Sequence, residues 1–405
     1  MRRRSRLAVL AAVAGPGLLA GLSDDDPAGI TTYSVLGADY GYELLWVLTL
    51  STLALVLFHE LGARVGVVTG QGMAGLIRER YGVRIAASAL AAVVVANLGT
   101  TAAEFAGVAA GLELAGVSRY VSVPLAAVAV SALVLRGSFH RVERVLLALA
   151  TAFATYLVAA VLAKPDWGAA AHGLVVPSMP LDRDALLTVT AVVGTTLAPW
   201  GLSFLQSYAV DKRLTPSDLG AERIDVLTGA VMTGVIGFCV VVACAATLHA
   251  SGDSIVDARD AAAALEPLAG GLASALFGVG LVGAAMLAAS VLPLSTAYSV
   301  AEALGREATL DDSFREAPVF YAAYGGAVAV GAGVVLIPGV PLVPVLVLTQ
   351  TLNAILLLPL LVLMTRIARD PVVMGRYRSG RAGVALQALT IALLGVCVAV
   401  LLALV

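Results

Sequence analysis

Three consecutive carboxylates, Asp24, Asp25 and Asp26, followed by Pro27, interrupt the apolar stretch 7–37. An ionised aspartate in hydrocarbon costs at least about 2.5–3.5 kcal/mol on insertion scales, so three in succession are tolerable only beside water, a cation or hydrogen-bond donors. Two readings follow, and both can hold on different members of the cluster. In one, Asp24 and Asp25 sit at a wetted loop while Asp26 caps the half-helix that Pro27 begins. In the other, Asp26 coordinates a cation. It is then helped by carbonyls freed at the end of the preceding half-helix around Gly21–Ser23, and by others near Thr195–Leu197.

A second interruption, Gly194-Thr195-Thr196-Leu197-Ala198-Pro199-Trp200-Gly201, falls inside the apolar stretch 184–210. Proline removes a backbone donor and clashes with the preceding turn, so both stretches are expected to break. Glu104 is a carboxylate in mid-span, an expensive place for one, which a protonated or hydrogen-bonded packing glutamate would account for. Gln350 and Asn353 fall about one turn apart and offer amide oxygens, or bond between helices. His59-Glu60-Leu61-Gly62-Ala63 begins like a zinc-protease helix, but Ala63 stands where the second histidine is required. Glu60 is expected to pair with Arg64 instead. Asp253, Asp257 and Asp260 read as a solvated acidic outer loop.

The elements that must position these residues follow from composition. Of 405 residues, 60% are hydrophobic and 13% charged, too little polar surface for a soluble enzyme or nucleic-acid binder of this size. Ala, Val, Leu and 41 glycines favour closely packed helices over a β-barrel. Apolar windows predict an all-α membrane protein of eleven helices, at 7–37, 41–63, 85–114, 119–136, 142–163, 184–210, 224–249, 270–304, 317–337, 342–366 and 383–405. With the N-terminus cytoplasmic, 21 of the 25 basic residues fall inside, and Arg119, Lys164, Arg183 and Arg259 outside. Arg2, Arg3, Arg4 and Arg6 before Leu7–Leu19 mimic a signal peptide, but Gly15-Pro16-Gly17 and the continuing apolar run favour an uncleaved first helix. Cys239, Cys244 and Cys397 lie in apolar stretches and read as small hydrophobes.

Helices one and six are corresponding members of two five-helix halves. Paired broken helices at equivalent positions point to an inverted-repeat transporter with its site near the membrane midplane. The first repeat is expected over 1–163 and the second over 164–366, with an extra helix in 367–405.

Gly15-Pro16-Gly17, Asp26-Pro27, Tyr40-Gly41-Tyr42, Leu44-Leu45-Trp46, Ala63-Arg64 and Val68-Thr69-Gly70 together resemble the NRAMP family of divalent-metal transporters. Ala103-Glu104-Phe105, Pro199 and Gln350 are similar to family positions further along, and the resemblance makes Glu104 a candidate proton carrier or neighbour of the cation site, with Asp24 and Asp25 as further candidates. The resemblance implies a LeuT-type fold of eleven helices, alternating access and, often, proton-coupled metal uptake.

The departures bear on the substrate. The family's helix-one motif Asp-Pro-Gly-Asn reads Asp26-Pro27-Ala28-Gly29, so Gly29 replaces the asparagine ligand. The helix-six motif Met-Pro-His reads Ala198-Pro199-Trp200, which removes the thioether and leaves Trp200 to shape the pocket. The aspartate that the family places before Glu104 is Thr101, which counts against proton coupling. A harder, roomier donor set suits magnesium, with manganese second, partly hydrated. This resembles the NRAMP-related magnesium transporters.

The sequence therefore reads as a secondary transporter, not an enzyme, with no cofactor beyond the transported ion. It is expected as a monomer in a bacterial-type inner membrane, with lipid and a small inorganic ion as its partners and no nucleic acid. The rival is an anion or small organic solute held at the helix N-termini after Pro27 and Pro199, where Ala28 and Gly29 leave backbone donors accessible.

Overall fold

The computed structural model describes residues 15–136, 139–180, 182–250, 255, 271–306, 308–340 and 342–404. Residues 7–14 of the first expected helix, the four N-terminal arginines, Arg259 and the loop aspartates Asp253, Asp257 and Asp260 lie outside them. Every regular element among the described residues is helical.

The first apolar stretch forms two half-helices, α1 (Pro16–Ser23) and α2 (Pro27–Tyr40). After α3 (Leu45–Thr69) and a short α4 (Met73–Tyr81) come α5 (Val83–Glu113) and α6 (Arg119–Arg136). Next, α7 (Phe139–Leu149) runs through a 3-10 turn, Ala150–Phe153, into α8 (Ala154–Leu162), followed by α9 (Trp167–Val175). The sixth expected span is again two pieces, α10 (Arg183–Thr196) and α11 (Pro199–Asp211). Then α12 (Leu219–Cys244) passes into a π-helical turn, Ala245–His249, and is followed by α13 (Gly271–Ala303) and α14 (Pro318–Leu336). The chain closes with α15 (Leu342–Arg369), α16 (Pro371–Met374) and α17 (Arg381–Leu404).

Ten helices of the described residues are long and apolar enough to cross a membrane, counting α7 with α8 as one and α10 with α11 as one, and the broken α1–α2 adds to these. Large apolar side chains on these spans point outward, among them Leu53, Leu125, Val128, Val161, Leu389 and Val396, each more than half exposed. In a bilayer that surface meets acyl chains and needs no protein partner. At the opposite extreme, α13 is buried almost throughout Leu281–Ala301.

Boundaries depart from the sequence reading where local chemistry decides them. The second span continues to Thr69 rather than stopping at 63, because Gly70, at φ 65°, is the residue that supplies a left-handed cap. The loops expected after the second and fifth spans contain the short helices α4 and α9, the latter capped by Asp166 through the Gly168 and Ala169 amides. Beyond the last turn of α15, Asp370 caps α16 and pairs with Arg80 at 2.5 Å. The Val372 amide, with Arg80, holds this carboxyl below the usual carboxylate range.

The two breaks share one cause. Proline pushes the residue before it out of the helical region. Asp26 (φ −69°, ψ 169°) and Ala198 (φ −90°, ψ 146°) are accordingly extended, with Pro27 and Pro199 opening the next helix. Each break is shorter than the sequence suggested, since Thr195 and Thr196 remain helical and the chain leaves the helix only at Leu197 and Ala198.

Close backbone packing fixes where the breaks sit. A Cβ on Gly107 of α5 would lie 2.2 Å from the Pro27 ring, so only glycine lets the start of α2 rest on α5. A Cβ on Gly21 would lie 2.4 Å from the Gly229 carbonyl carbon, so α1 lies directly on the α12 backbone. Asp225 of α12 then accepts hydrogen bonds from the Gly15 and Gly17 amides at 3.1 and 2.7 Å. Thr233 donates to the Gly21 carbonyl at 2.6 Å.

Candidate functional site

The half-helices meet end to end. Asp26 accepts a hydrogen bond from the Gly29 amide at 2.5 Å, the N-cap that a carboxylate before Pro27 should make. This cap takes up Oδ1, and Asp26 is 3% exposed. A Cβ on Gly29 would lie 3.0 Å from both the Asp24 carbonyl oxygen and Thr195 Oγ1, so the break in the first span touches the end of α10 at that glycine. Tyr33 and Thr196 share a hydrogen bond at 3.1 Å and brace the same junction.

Around this junction lie buried polar atoms with no hydrogen-bond partner: Ser23 Oγ, both carboxylate oxygens of Asp24 and of Asp25, both of Glu104, and Thr195 Oγ1. Leaving one such group unpaired costs about 1–3 kcal/mol, more if charged. A concentration of them at the meeting point of two broken helices is the mark of a place built to receive something polar. Glu104 comes from α5 and lies close enough to Asp26 for the two carboxyls to interact. Asp24, Asp25 and Glu104 thus all lie within electrostatic range of Asp26, a concentration of buried carboxyl groups that favours a positive charge and opposes a negative one, although no three of them are placed to ligate one ion together.

Helix α15 completes the surround. A Cβ on Gly194 would lie 2.2 Å from the Gln350 carbonyl, so α15 packs against α10 just before its break. Asn353 donates to Thr100 of α5 at 3.0 Å and to Gln350 Oε1 at 3.3 Å, while Gln350 Nε2 is unpartnered. Asn353 thus bridges α5 and α15, one of the two roles its sequence position allowed. Gln350 keeps a free amide nitrogen rather than a free oxygen.

Trp200 and Ala198 flank Pro199 at the second break. Trp200 is buried, and its ring lies 6.4 Å from Phe204, which stacks on Tyr208 at 4.7 Å, giving an aromatic ladder along α11. Its main-chain oxygen accepts from Ser295. Ala198 offers no side-chain cap to α11 and packs in the apolar core. The backbone donor that Gly29 was expected to leave accessible is instead occupied by Asp26.

One residue was missed. His59 of α3 places Nε2 at 3.6 Å from Asp24 Oδ2, with both side chains almost wholly buried. Glu60 beside it pairs with Arg64, as expected, and also with Arg223. The signal in the sequence is the general one of an ionisable side chain inside an apolar span, independent of the failed protease motif.

A family profile described as "Natural resistance-associated macrophage protein-like" (Nramp) matches residues 17–404. A protein named divalent metal cation transporter MntH from Burkholderia ambifaria is 34% identical over 295 residues, covering 69% of this chain and 66% of the relative. The protein of that name from Aeromonas hydrophila is 28% identical over 394 residues, covering 94% and 92%. Among solved structures, the manganese transporter of Eremococcus coleocola superposes with a TM-score of 0.78 at 20% identity, over 98% of this chain and 87% of that one. Mhp1, a nucleobase-cation-symport-1 family transporter in a closed conformation, superposes at 0.59 with 15% identity, over 92% and 81%. These likenesses establish the fold.

Proposed function

The chain belongs to the Nramp family, and from that premise we propose that it is a secondary transporter moving a divalent cation by alternating access. The single observation that carries this reading is the cluster of Asp24, Asp25, Asp26 and Glu104. All four are buried at the junction of two broken helices, and most of their oxygens lack partners. The relatives' names as divalent metal cation transporters support it.

Asp26 binds the cation through the oxygen not used in its cap. Thr195, Ser23 and the carbonyls released at the two breaks add neutral oxygens, and Asp24, Asp25 and Glu104 balance charge. Gln350 approaches from α15 and Trp200 walls the cleft beside α11. With neither thioether nor asparagine at Ala198 and Gly29, the oxygen donors suit a partly hydrated magnesium or manganese ion. Rocking of the broken helices with their neighbours exposes the site to each side in turn. The basic residues clustered in alternate loops support a bacterial-type inner-membrane protein with a cytoplasmic N-terminus, and the proposal takes it to act as a monomer.

The anion reading loses its main support. The N-terminus of α2 is already filled by the Asp26 carboxylate, and an anion would share the cleft with three further carboxyls.

The test is uptake into proteoliposomes. Purified protein is expected to admit magnesium or manganese, and Asp26→Ala to abolish entry. Folded protein that admits neither metal would overturn the reading and return the solute class to anions or small organic molecules.

A further inference from the structure

His59 and Asp24 come from different helices and meet at a third. Asp24 ends the first half-helix, His59 sits in mid-span on α3, and a Cβ on Gly201 of α11 would lie 3.0 Å from His59 Nε2 and 3.4 Å from Asp24 Oδ1. Glycine at 201 therefore leaves clear the space into which both side chains point.

The pair is not closed by a hydrogen bond. Nitrogen–oxygen hydrogen bonds run at about 2.7–3.2 Å, and Nε2 stands 3.6 Å from Oδ2. Neither Asp24 oxygen nor His59 Nδ1 has a hydrogen-bond partner, and the two side chains are 0% and 4% exposed. When Nδ1 carries the proton, a nitrogen lone pair faces a carboxylate, an arrangement that is favourable only with a positive charge between them. Metal bonds to imidazole nitrogen and carboxylate oxygen are about 2.0–2.2 Å, which puts two such ligands roughly 3.4 Å apart around a tetrahedral ion. The observed separation is close to that edge.

We propose that His59 Nε2 and Asp24 Oδ2 form a nitrogen–oxygen pair that ligates the transported cation, selecting a first-row divalent transition metal over magnesium. This deepens the transport reading above and rests on it. Among the described residues no three His, Cys, Asp or Glu side chains form a metal-binding cluster, so the pair supplies two direct donors, Asp26 reaches the same ion through water, and further water and main-chain oxygens complete the shell. Imidazole is the softer donor that the oxygen-only set at the two breaks lacks, and it contributes least to an ion as hard and as reluctant to dehydrate as magnesium. The soft ligand lost at Ala198 is thereby replaced from another helix.

Manganese(II) is paramagnetic, so a directly bonded imidazole leaves a nitrogen-14 modulation in its electron spin echo. Full-length protein in detergent, loaded with manganese(II) chloride, is expected to show that modulation and His59→Gln to lose it. Losing even an outer partner of a metal ligand costs about 10–100-fold in affinity, so His59→Gln is expected to weaken manganese binding at least about tenfold. Magnesium, measured by calorimetry on the same samples, should change less than about twofold. Asp24→Asn, which keeps the size of the side chain, should reproduce the manganese loss if His59→Gln proves unstable. Bound manganese without nitrogen coupling, or equal losses for the two metals, would overturn this inference and leave the transport reading standing. Failure of the wild-type protein to bind either metal would instead remove the transport reading.

Discussion

The Asp26 carboxylate closes on the Gly29 amide at 2.5 Å, so the residue expected to hold the cation also holds the helix that follows it. One oxygen serves the fold, and the transport proposal assigns the other to the ion. Asparagine caps a helix about as well as aspartate, whereas alanine costs about 1 kcal/mol. Asp26→Asn is therefore expected to melt within a degree or two of wild type while losing divalent-cation binding. Asp26→Ala should lose binding and melt lower. Thermal unfolding alongside calorimetry separates the two roles, and equal destabilisation by both substitutions would contradict the assignment.

Restoring the family's asparagine at Gly29 is expected to fail. A Cβ there would stand 3.0 Å from the Asp24 carbonyl and from Thr195 Oγ1, closer than side chains normally approach. Gly29→Asn should therefore push the two breaks apart and lower metal uptake rather than raise it. Overpacking of this kind costs about 1–3 kcal/mol, readable as a fall in melting temperature. Uptake above the wild-type level would show that the junction has more room than the geometry allows.

The contact of α1 with α12 predicts a conformational effect far from the carboxylate cluster. Asp225 binds the Gly15 and Gly17 amides and lies beside the Glu143–Lys212 pair, whose charged atoms also surround Gly15. Asp225→Ala removes the cap that holds the start of α1, worth about 1 kcal/mol, and so favours forms in which α1 has left α12. A cysteine at Ser23, in a background with Cys239, Cys244 and Cys397 replaced by serine, should be alkylated several-fold faster when Asp225→Ala is added. Unchanged alkylation would contradict a latch at this position.

How much of this was legible in the sequence depends on the range of the interaction. The breaks were readable because Pro27 and Pro199 act on their immediate neighbours, and the Glu60–Arg64 pair because it spans one helical turn. Glu104 stood out because a carboxylate in mid-span is costly. The contact between His59 and Asp24 was not readable, since it joins separate helices and depends on Gly201 of a third. Nor was the bridge from Asn353 to Thr100, across 253 positions, which ties α15 to α5. The short helices α4 and α9 escaped because windows long enough to find a membrane span average over elements of nine residues. Trp200 was read from its neighbour Pro199, whereas its ring follows the helical spacing to Phe204 and Tyr208.

The central claim is that a divalent cation sits where the two broken helices meet. Anomalous diffraction from crystals of the protein soaked in manganese(II) chloride tests it most directly. An anomalous peak is expected, enclosed by Asp24, Asp26 and Thr195, within reach of a direct or water-mediated bond to the Asp26 carboxylate, and absent from Asp26→Asn crystals. Manganese found only at surface carboxylates in wild-type crystals, with the junction of the breaks showing no peak, would contradict it.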